Sequence, residues 1–507
     1  HKFSFCFSFF LFIFFCVLNF KFFYPIYVAD EIIIPYAIHP FDICSSQPVL
    51  WNFIKNTYLF TFPFSSFIFI RFLYTRFFIH FSFRNFNFFN TTEFADISFL
   101  NNNFSLFVGN NYSDNSPIYL QESGLFQNFL ITGTIGTGKT SSAIYPFVEQ
   151  FIKYNSENLT DKFGMLILDV KGNFYNYVSN IVCKYDLQND LFVISLHNNV
   201  FYNPLHKPNL KPQILANRLK TILTLFSENN SESYWLDKAE QILAEAIKFC
   251  RLYNNGYVTF VELHKLITDT SYYFSKVNFL RDLFVSSNFS NRDIYELNEC
   301  LNFFQNEFLC LDERTKGILV SEITRITTVF VSDYDVCSTF CPPKNKLNFD
   351  GFSDIIKNGK IVVLNINVSE YTFLSKIIAT YLKLDFQTEV MSFLANNIPK
   401  KNIFVCDEYD KFCTKTDADF FSMSREAKCI NIVSTQSYSS LKNTLKDDAS
   451  VKVIIQNLVN KIWFRTDDIF TIEEAQKQLG KEDKEKISKS VSENAKETKF
   501  SYITNTL

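Results

Sequence analysis

The run Gly133-Thr134-Ile135-Gly136-Thr137-Gly138-Lys139-Thr140 fits the pattern GxxxxGK[ST], and each fixed position has a chemical reason. Glycines let a backbone wrap around an anion with its N–H groups pointing inward, and a helix starting directly behind the loop adds the positive end of its dipole. Lys139 would neutralise the β- and γ-phosphates and Thr140 would offer its hydroxyl to Mg2+, while Thr134, Gly136 and Ser141 complete the groups around the phosphates. The apolar run QNFLIT precedes the loop and the helix-forming run SSAIYPFVEQFIKY follows it, so strand, loop and helix come in the required order. Only 12 of 507 residues are glycine, so chance rarely builds such a run here. The chemistry implied is the capture of ATP with Mg2+.

A second chemical pair follows the apolar run Asn402–Cys406, which leads straight into Asp407-Glu408. An acidic pair at a strand end is more often a solvated loop, but downstream of a phosphate-binding loop it reads as the hydrolytic pair: Asp407 in the Mg2+ shell, Glu408 orienting and deprotonating the attacking water. The next apolar run, CINIVSTQ, ends at Gln436, whose amide could sense loss of the γ-phosphate or simply cap the surface.

These groups need a scaffold that brings separate strand ends together. Beyond about residue 85 strands and helices alternate, the signature of an α/β fold with a mostly parallel sheet covered on both faces. The expected strands are Phe129–Thr132, Met165–Val170, Leu191–Leu196, Ile361–Ile366, Ile403–Cys406, Ile430–Ser434 and Lys461–Arg465. Between residues 211 and 344 the alternation stops, and LANRLKTILTLF and WLDKAEQILAEAIKFCRLY carry apolar residues at helical spacing. The expected organisation is a membrane anchor at 1–84, a nucleotide-binding domain in two parts at 85–210 and 345–480, an inserted all-α domain at 211–344, and a polar, mobile tail at 481–507.

The anchor is read from apolarity and charge. Phe3 to Phe20 is uncharged over 18 residues, and a second apolar stretch spans Thr57 to Ile70. Arg71, Arg76 and Arg84 follow the second stretch, whereas Asp30, Glu31, Asp42 and a single Lys55 lie between the two. The basic excess places both ends of a transmembrane hairpin on the cytoplasmic side of the cell membrane, with the catalytic body in the cytoplasm. The alternatives are a cleaved signal peptide for the first stretch and a buried core element for the second. A start at His1 rather than Met reads as a chain continuing upstream.

Composition constrains the rest. The net charge of −3 excludes a global basic field, so any nucleic-acid contact must be local. The 62 phenylalanines read as codon bias rather than function. Twelve cysteines without a CxxC pair, among them Cys337, Cys341, Cys406 and Cys429, read as reduced and mostly buried thiols.

Taken in order, the motifs resemble the type IV coupling proteins of the TraG/TraD kind. LITGTIGTGKTSSAIYPFV resembles their nucleotide loop, and LILDVKGNFYNYV, with Asp169, Lys171 and Gly172, their Asp-x-Lys-Gly segment. Phe201–Leu205 is similar to their Tyr-Asn-Pro-Leu signature, Tyr234-Trp235 with AEQILAEAI to the entry of their all-α domain, and LVNKIWFRTDD with Gly480 to the closing strand of their motor. IFVCDEYDKF followed by SREAKCINIVSTQSYSSL is similar to their TraM-recognition region. The resemblance implies a RecA-like P-loop motor domain with two N-terminal membrane helices. It further implies a homo-hexamer that drives DNA, bound to a relaxase, or another secreted protein into a type IV secretion channel. It also implies an arginine supplied by a neighbouring subunit; Arg314, Arg325, Arg425 and Arg465 are the candidates, Arg425 first. Two other readings stay open: a DNA translocase of the FtsK/HerA type without a secretion channel, and a nucleotide-binding membrane receptor for secreted proteins.

Overall fold

The computed structural model describes residues 104–169, 174–196, 199–226, 233–286, 290–366 and 368–480, the backbone of 485–491 and 500–506, and the single positions 49, 53 and 68. The chain divides into a unit of residues His1–Asn101 and a unit of residues Asn102–Leu507. The two expected membrane spans fall in the first unit and, apart from Ile68, lie outside the described residues. Among the described residues no helix is long and apolar enough to cross a membrane.

The second unit opens with an antiparallel hairpin, β1 (Ser105–Asn110) and β2 (Pro117–Gln121), and is built around seven parallel strands. These are β3 (Phe129–Thr132), β4 (Gly164–Leu168), β5 (Leu191–Ile194), β6 (Ile361–Leu364), β7 (Asn402–Cys406), β8 (Cys429–Thr435) and β9 (Asn460–Trp463), in the spatial order β5-β6-β4-β7-β8-β3-β9. All seven strands expected from the sequence are present, Phe129–Thr132 with the expected ends and the others with ends shifted by at most two residues. The inner five are buried at every position, as continuous apolar runs require when both faces are covered, while β9, at one edge, is half-buried throughout.

Strand alternation sorts the core into two layers. Phe129, Ile131, Ile167, Val363, Ile403 and Val405 point to one face, where α1 (Tyr145–Glu157) and α2 (Phe174–Lys184) cover them with Phe147, Phe151, Ile152 and Val178. Leu130, Leu166, Val362, Leu364, Phe404 and Val433 point to the other, larger cluster.

Between β5 and β6 the chain is helical: α3 (Pro212–Thr224), α4 (Ser233–Tyr253), α5 (Phe260–Thr268), α6 (Thr270–Ser286), α7 (Asn291–Asn302), α8 (Glu313–Val331), α9 (Tyr334–Phe340) and α10 (Phe352–Asn358). Capping boxes at Thr259 with Glu262 and Ser290 with Asp293 fix where α5 and α7 begin. After β6 come α11 (Val368–Ala395), α12 (Asp417–Met423), α13 (Tyr438–Leu445), α14 (Asp448–Asn457) and α15 (Ile469–Leu479).

The Tyr-Asn-Pro-Leu run joins the helical segment to the sheet. Asn203 closes an Asx turn on the backbone N–H of Leu205 and donates to the carbonyl of Val258 at 2.8 Å. The Tyr202 hydroxyl donates to buried Asp385 of α11 at 3.1 Å, which also pairs with Lys207 at 2.7 Å and Arg218 at 2.8 Å. The tail, which shows no apolar stripe in sequence, pairs its backbone as an antiparallel ladder of β10 (Glu485–Val491) and β11 (Phe500–Thr506).

Candidate nucleotide site

β3 ends at Thr132 and the loop turns at once. The Gly133 N–H donates to the carbonyl of Thr435 on β8, and the Thr134 N–H donates at 2.9 Å to the carbonyl of Arg465, just past β9. The loop is thus clamped between both neighbours of β3. A Cβ at Gly133 would lie 2.5 Å from Cβ of Phe464, so no other residue fits there without moving the strand. Gly136 (φ +77°) and Gly138 (φ +92°) take backbone conformations that L side chains rarely adopt. The Thr137 hydroxyl donates to the Thr134 carbonyl at 2.8 Å, and Lys139 turns its ammonium onto the carbonyls of Gly133 and Thr134 at 2.5 and 3.1 Å. A wide turn, Thr140–Ile144, leads from the loop into α1. Ser141 is exposed there, its hydroxyl 3.4 Å from the carbonyl of Gly138. A cavity of about 500 Å3 borders the loop, lined by Thr134 to Thr137 together with Arg465 and Asp467.

The acidic pair faces this loop because of strand order. β8 lies between β3 and β7, and the parallel register brings all three C-terminal ends to one edge. The Asp407 N–H donates to Leu168 at 3.0 Å, which seats the end of β7 beside β4. Asp407 is buried, and its carboxylate is divided between two roles. Oδ2 accepts from the Thr140 hydroxyl at 2.7 Å, while Oδ1 accepts from the Ser434 hydroxyl and from the Glu408 N–H at 3.0 Å. Glu408 follows at φ +50°, a left-handed conformation costing a non-glycine residue on the order of 1–3 kcal/mol, which sharply redirects the chain after the strand. An all-oxygen set of one carboxylate and one hydroxyl suits Mg2+, which binds few protein oxygens and leaves room for phosphate oxygens. The residues present fit that ion.

Behind the pair lies a buried network that sequence reasoning missed. Asp417 accepts from Lys383 Nζ at 2.6 Å, from the Tyr409 hydroxyl at 2.6 Å, from Gln387 at 2.9 Å and from the Thr414 N–H at 2.9 Å. Lys383 and Asp417 are both fully buried. Asp410, also buried, accepts from Thr435 at 3.3 Å. Tyr409 and Asp410 directly follow Glu408, so these contacts hold its turn from below. The available signals were slight: a lysine between two leucines, Leu382 and Leu384, in α11, and the polar Ser434 near the end of β8.

Of the other expected site residues, Gln436 directly follows Thr435 and is half-buried at the loop edge. Asp169 lies beyond β4 and accepts from the Phe174 N–H at 3.1 Å, capping α2; Lys171 and Gly172 fall outside the described residues. Arg425 is not brought to this site: it is exposed just before β8, at the opposite end of the sheet. Arg325 is engaged by Glu322 and the carbonyl of Phe226, Arg314 is exposed on α8, and Arg465 borders the loop cavity. Cys406 and Cys429 are buried in β7 and β8, where burial pushes the Cys429 thiol well above its usual range.

A seven-stranded parallel sheet with a glycine loop after β3, an acidic pair after β7 and an added strand between them defines a P-loop nucleotide-binding fold. Residues 402–506 match the family model described as the TraM recognition site of TraD and TraG, which bears out the likeness to those coupling proteins read from the sequence. No curated protein matches the chain. Among solved structures, the unbound form of the bacterial conjugative coupling protein TrwBdeltaN70 is similar at 12% identity and TM-score 0.49, over 77% of this chain and 80% of that one. The plasmid coupling protein TrwB in complex with ADP and Mg2+ is similar at 13% identity and TM-score 0.48, over 78% and 81%. VirB4 of Thermoanaerobacter pseudethanolicus is similar at 13% identity and TM-score 0.46, over 73% and 87%.

Proposed function

We propose that this chain is a membrane-anchored, ATP-hydrolysing coupling protein that recruits DNA, relaxase-bound, or a secreted protein and drives it into a type IV secretion channel as a homo-hexamer. The observation that carries the enzymatic part is the hydrogen bond from Thr140 to Asp407, which sets the end of β7 against the phosphate loop. The match of residues 402–506 supports the coupling role.

In this reading the backbone N–H groups of the loop from Ile135 to Thr140 and the Lys139 ammonium would hold the phosphates of ATP, and Thr140 and Asp407 would hold Mg2+, while the N–H groups of Gly133 and Thr134 stay bonded to the neighbouring strands. The metal supplies charge neutralisation at the phosphates. Ser434 and the Glu408 N–H hold one oxygen of Asp407, which keeps the other directed at Thr140. Glu408 orients the attacking water and accepts its proton; Gln436 reports loss of the terminal phosphate. Gly133 is tied to Thr435, the residue before Gln436, so a shift at the loop is passed to β8 and α13. Arg425, exposed and distant from its own loop, is available to complete a neighbour's site.

The test is ATP turnover by a fragment starting near residue 85, with and without DNA, over a range of protein concentrations. Turnover rises with DNA of any sequence and the rise declines steeply as salt goes from about 50 to 200 mM, because the grip is on backbone phosphates. If DNA leaves the rate unchanged wherever oligomers are present while a secreted partner raises it, DNA translocation gives way to the protein-receptor reading. The anchor is tested by reporters fused near residues 45 and 100, which emerge on opposite sides of the membrane; a common side overturns the hairpin.

A further inference from the structure

A second cavity, of about 580 Å3, lies apart from the nucleotide loop, where the helical segment meets elements that follow the hydrolytic pair. Its walls come from α3 and α4, from α11, from the loop 414–416 and from the C-terminal end of α13. Four lysines line it, Lys220, Lys376, Lys415 and Lys446, together with five threonines and one asparagine; among the described residues no carboxylate lines it. That concentration of ammonium groups stands out in a chain whose net charge is −3.

Among the described residues, two of these lysines have carboxylates close by outside the cavity. Lys220 pairs with Asp237 at 2.6 Å and Glu240 at 2.7 Å, and Asp447 lies within electrostatic reach of Lys415. Lys376 differs. It is half-buried, its ammonium lies 5.1 Å from the Phe226 ring centre, and no carboxylate is within ion-pair distance among the described residues. Burial holds its pKa below the usual lysine value, the mark of a cation short of solvent and of a counter-charge. Surface lysines extend into water; this one is kept against an aromatic ring facing a polar cavity.

We propose that this cavity is a binding site for a phosphate-bearing anion, gripped by Lys376 and Lys415 with the surrounding hydroxyls as donors. A cavity of this size accepts several linked phosphate groups, and threonine hydroxyls and lysines are the side chains that pair with phosphate oxygens. The two sources of that chemistry are a free polyphosphate and the backbone of a nucleic-acid strand. Two of the walls are continuous with the nucleotide site: Thr414 hydrogen-bonds Lys383 in the network behind Glu408, and Asn443 to Lys446 end the helix that begins after Gln436. Binding here does not depend on the ATPase reading, although coupling to hydrolysis would.

The experiment is a titration in the Lys139→Ala background, which removes the nucleotide loop's own share of the signal. The probes are tripolyphosphate and a fluorescent oligodeoxythymidylate. The double variant Lys376→Gln/Lys415→Gln binds the recognised probe roughly tenfold more weakly, whereas Lys357→Gln, exposed on α10, leaves it unchanged. Loss confined to tripolyphosphate assigns a free polyphosphate; loss confined to the oligonucleotide, with a shallower salt dependence, assigns a strand. Should the double variant unfold, Lys415→Glu at the exposed rim gives the same loss without touching a buried group. Equal affinity of both probes for the parent and the Lys415→Glu protein overturns the site. ATP turnover is measured separately on the protein with Lys139 intact, so failure of either reading is told apart from failure of the other.

Discussion

Thr140, the first residue behind the loop lysine, donates a 2.7 Å hydrogen bond to Asp407, 267 positions later in the chain. A helix start and a strand end are thereby fixed to each other across the intervening strand β8, and Glu408 is carried to the same edge.

Two substitutions separate binding from chemistry at this edge. Lys139→Ala abolishes ATP binding, whereas Glu408→Gln keeps binding and lowers turnover by roughly 10²–10⁴-fold, the usual contribution of a general base. Nucleotide titration and a phosphate-release assay read the two effects. Normal hydrolysis by the Glu408→Gln protein would show that the water is activated by another group.

Arg425 supplies the site of a neighbour or none. Arg425→Ala retains ATP binding and loses DNA-stimulated turnover, and mixing it with the Glu408→Gln protein restores part of the rate, because some interfaces then combine an intact arginine with an intact glutamate. Absence of any recovery on mixing removes the trans role.

The buried pair behind Glu408 is held by mutual neutralisation. Lys383→Met leaves the Asp417 carboxylate buried with only neutral donors, at a cost of about 3–5 kcal/mol in unfolding free energy. Denaturant titration measures it. A loss below about 1 kcal/mol would mean that the neutral donors around Asp417 suffice.

Acid weakens the joint between α3 and α11 in a defined direction. Burial alone would raise the pKa of Asp385, but Lys207 and Arg218 outweigh it and hold the carboxyl below its ordinary value. A carboxylate depressed in the folded state contributes stability that is present in full above the unfolded pKa, about 3.9, and is lost as pH falls through the lower folded value. Thermal unfolding of the parent and of Asp385→Asn therefore differs most above about pH 4 and converges below it. A gap that persists unchanged into stronger acid would show that the carboxylate charge is not what stabilises the joint.

The loop, the acidic pair and the seven strands were legible because each rests on local order: apolar runs of strand length, glycines at fixed offsets, carboxylates where a run ends. Ser434 and the Lys383–Asp417 network were not, since a hydroxyl in a strand and one lysine among several charged residues of a helix acquire meaning only from partners distant in sequence. The tail shows the same limit in reverse, as pairing of β10 with β11 needs only backbone groups and leaves little trace in side-chain pattern.

The sequence by itself determined that a glycine loop of the phosphate-binding pattern and an acidic pair after an apolar run exist, because Gly133 to Thr140 and Asp407-Glu408 are contiguous. Only the tertiary structure decided that they meet. Strand order is a property of long-range pairing, and placing β8 between β3 and β7 sets Thr140 against Asp407 while leaving Arg425 at the far end of the sheet. It also decided which lysines gather around a common cavity, for Lys220, Lys376, Lys415 and Lys446 share no local pattern and become neighbours only when the helical segment packs against the rest of the fold.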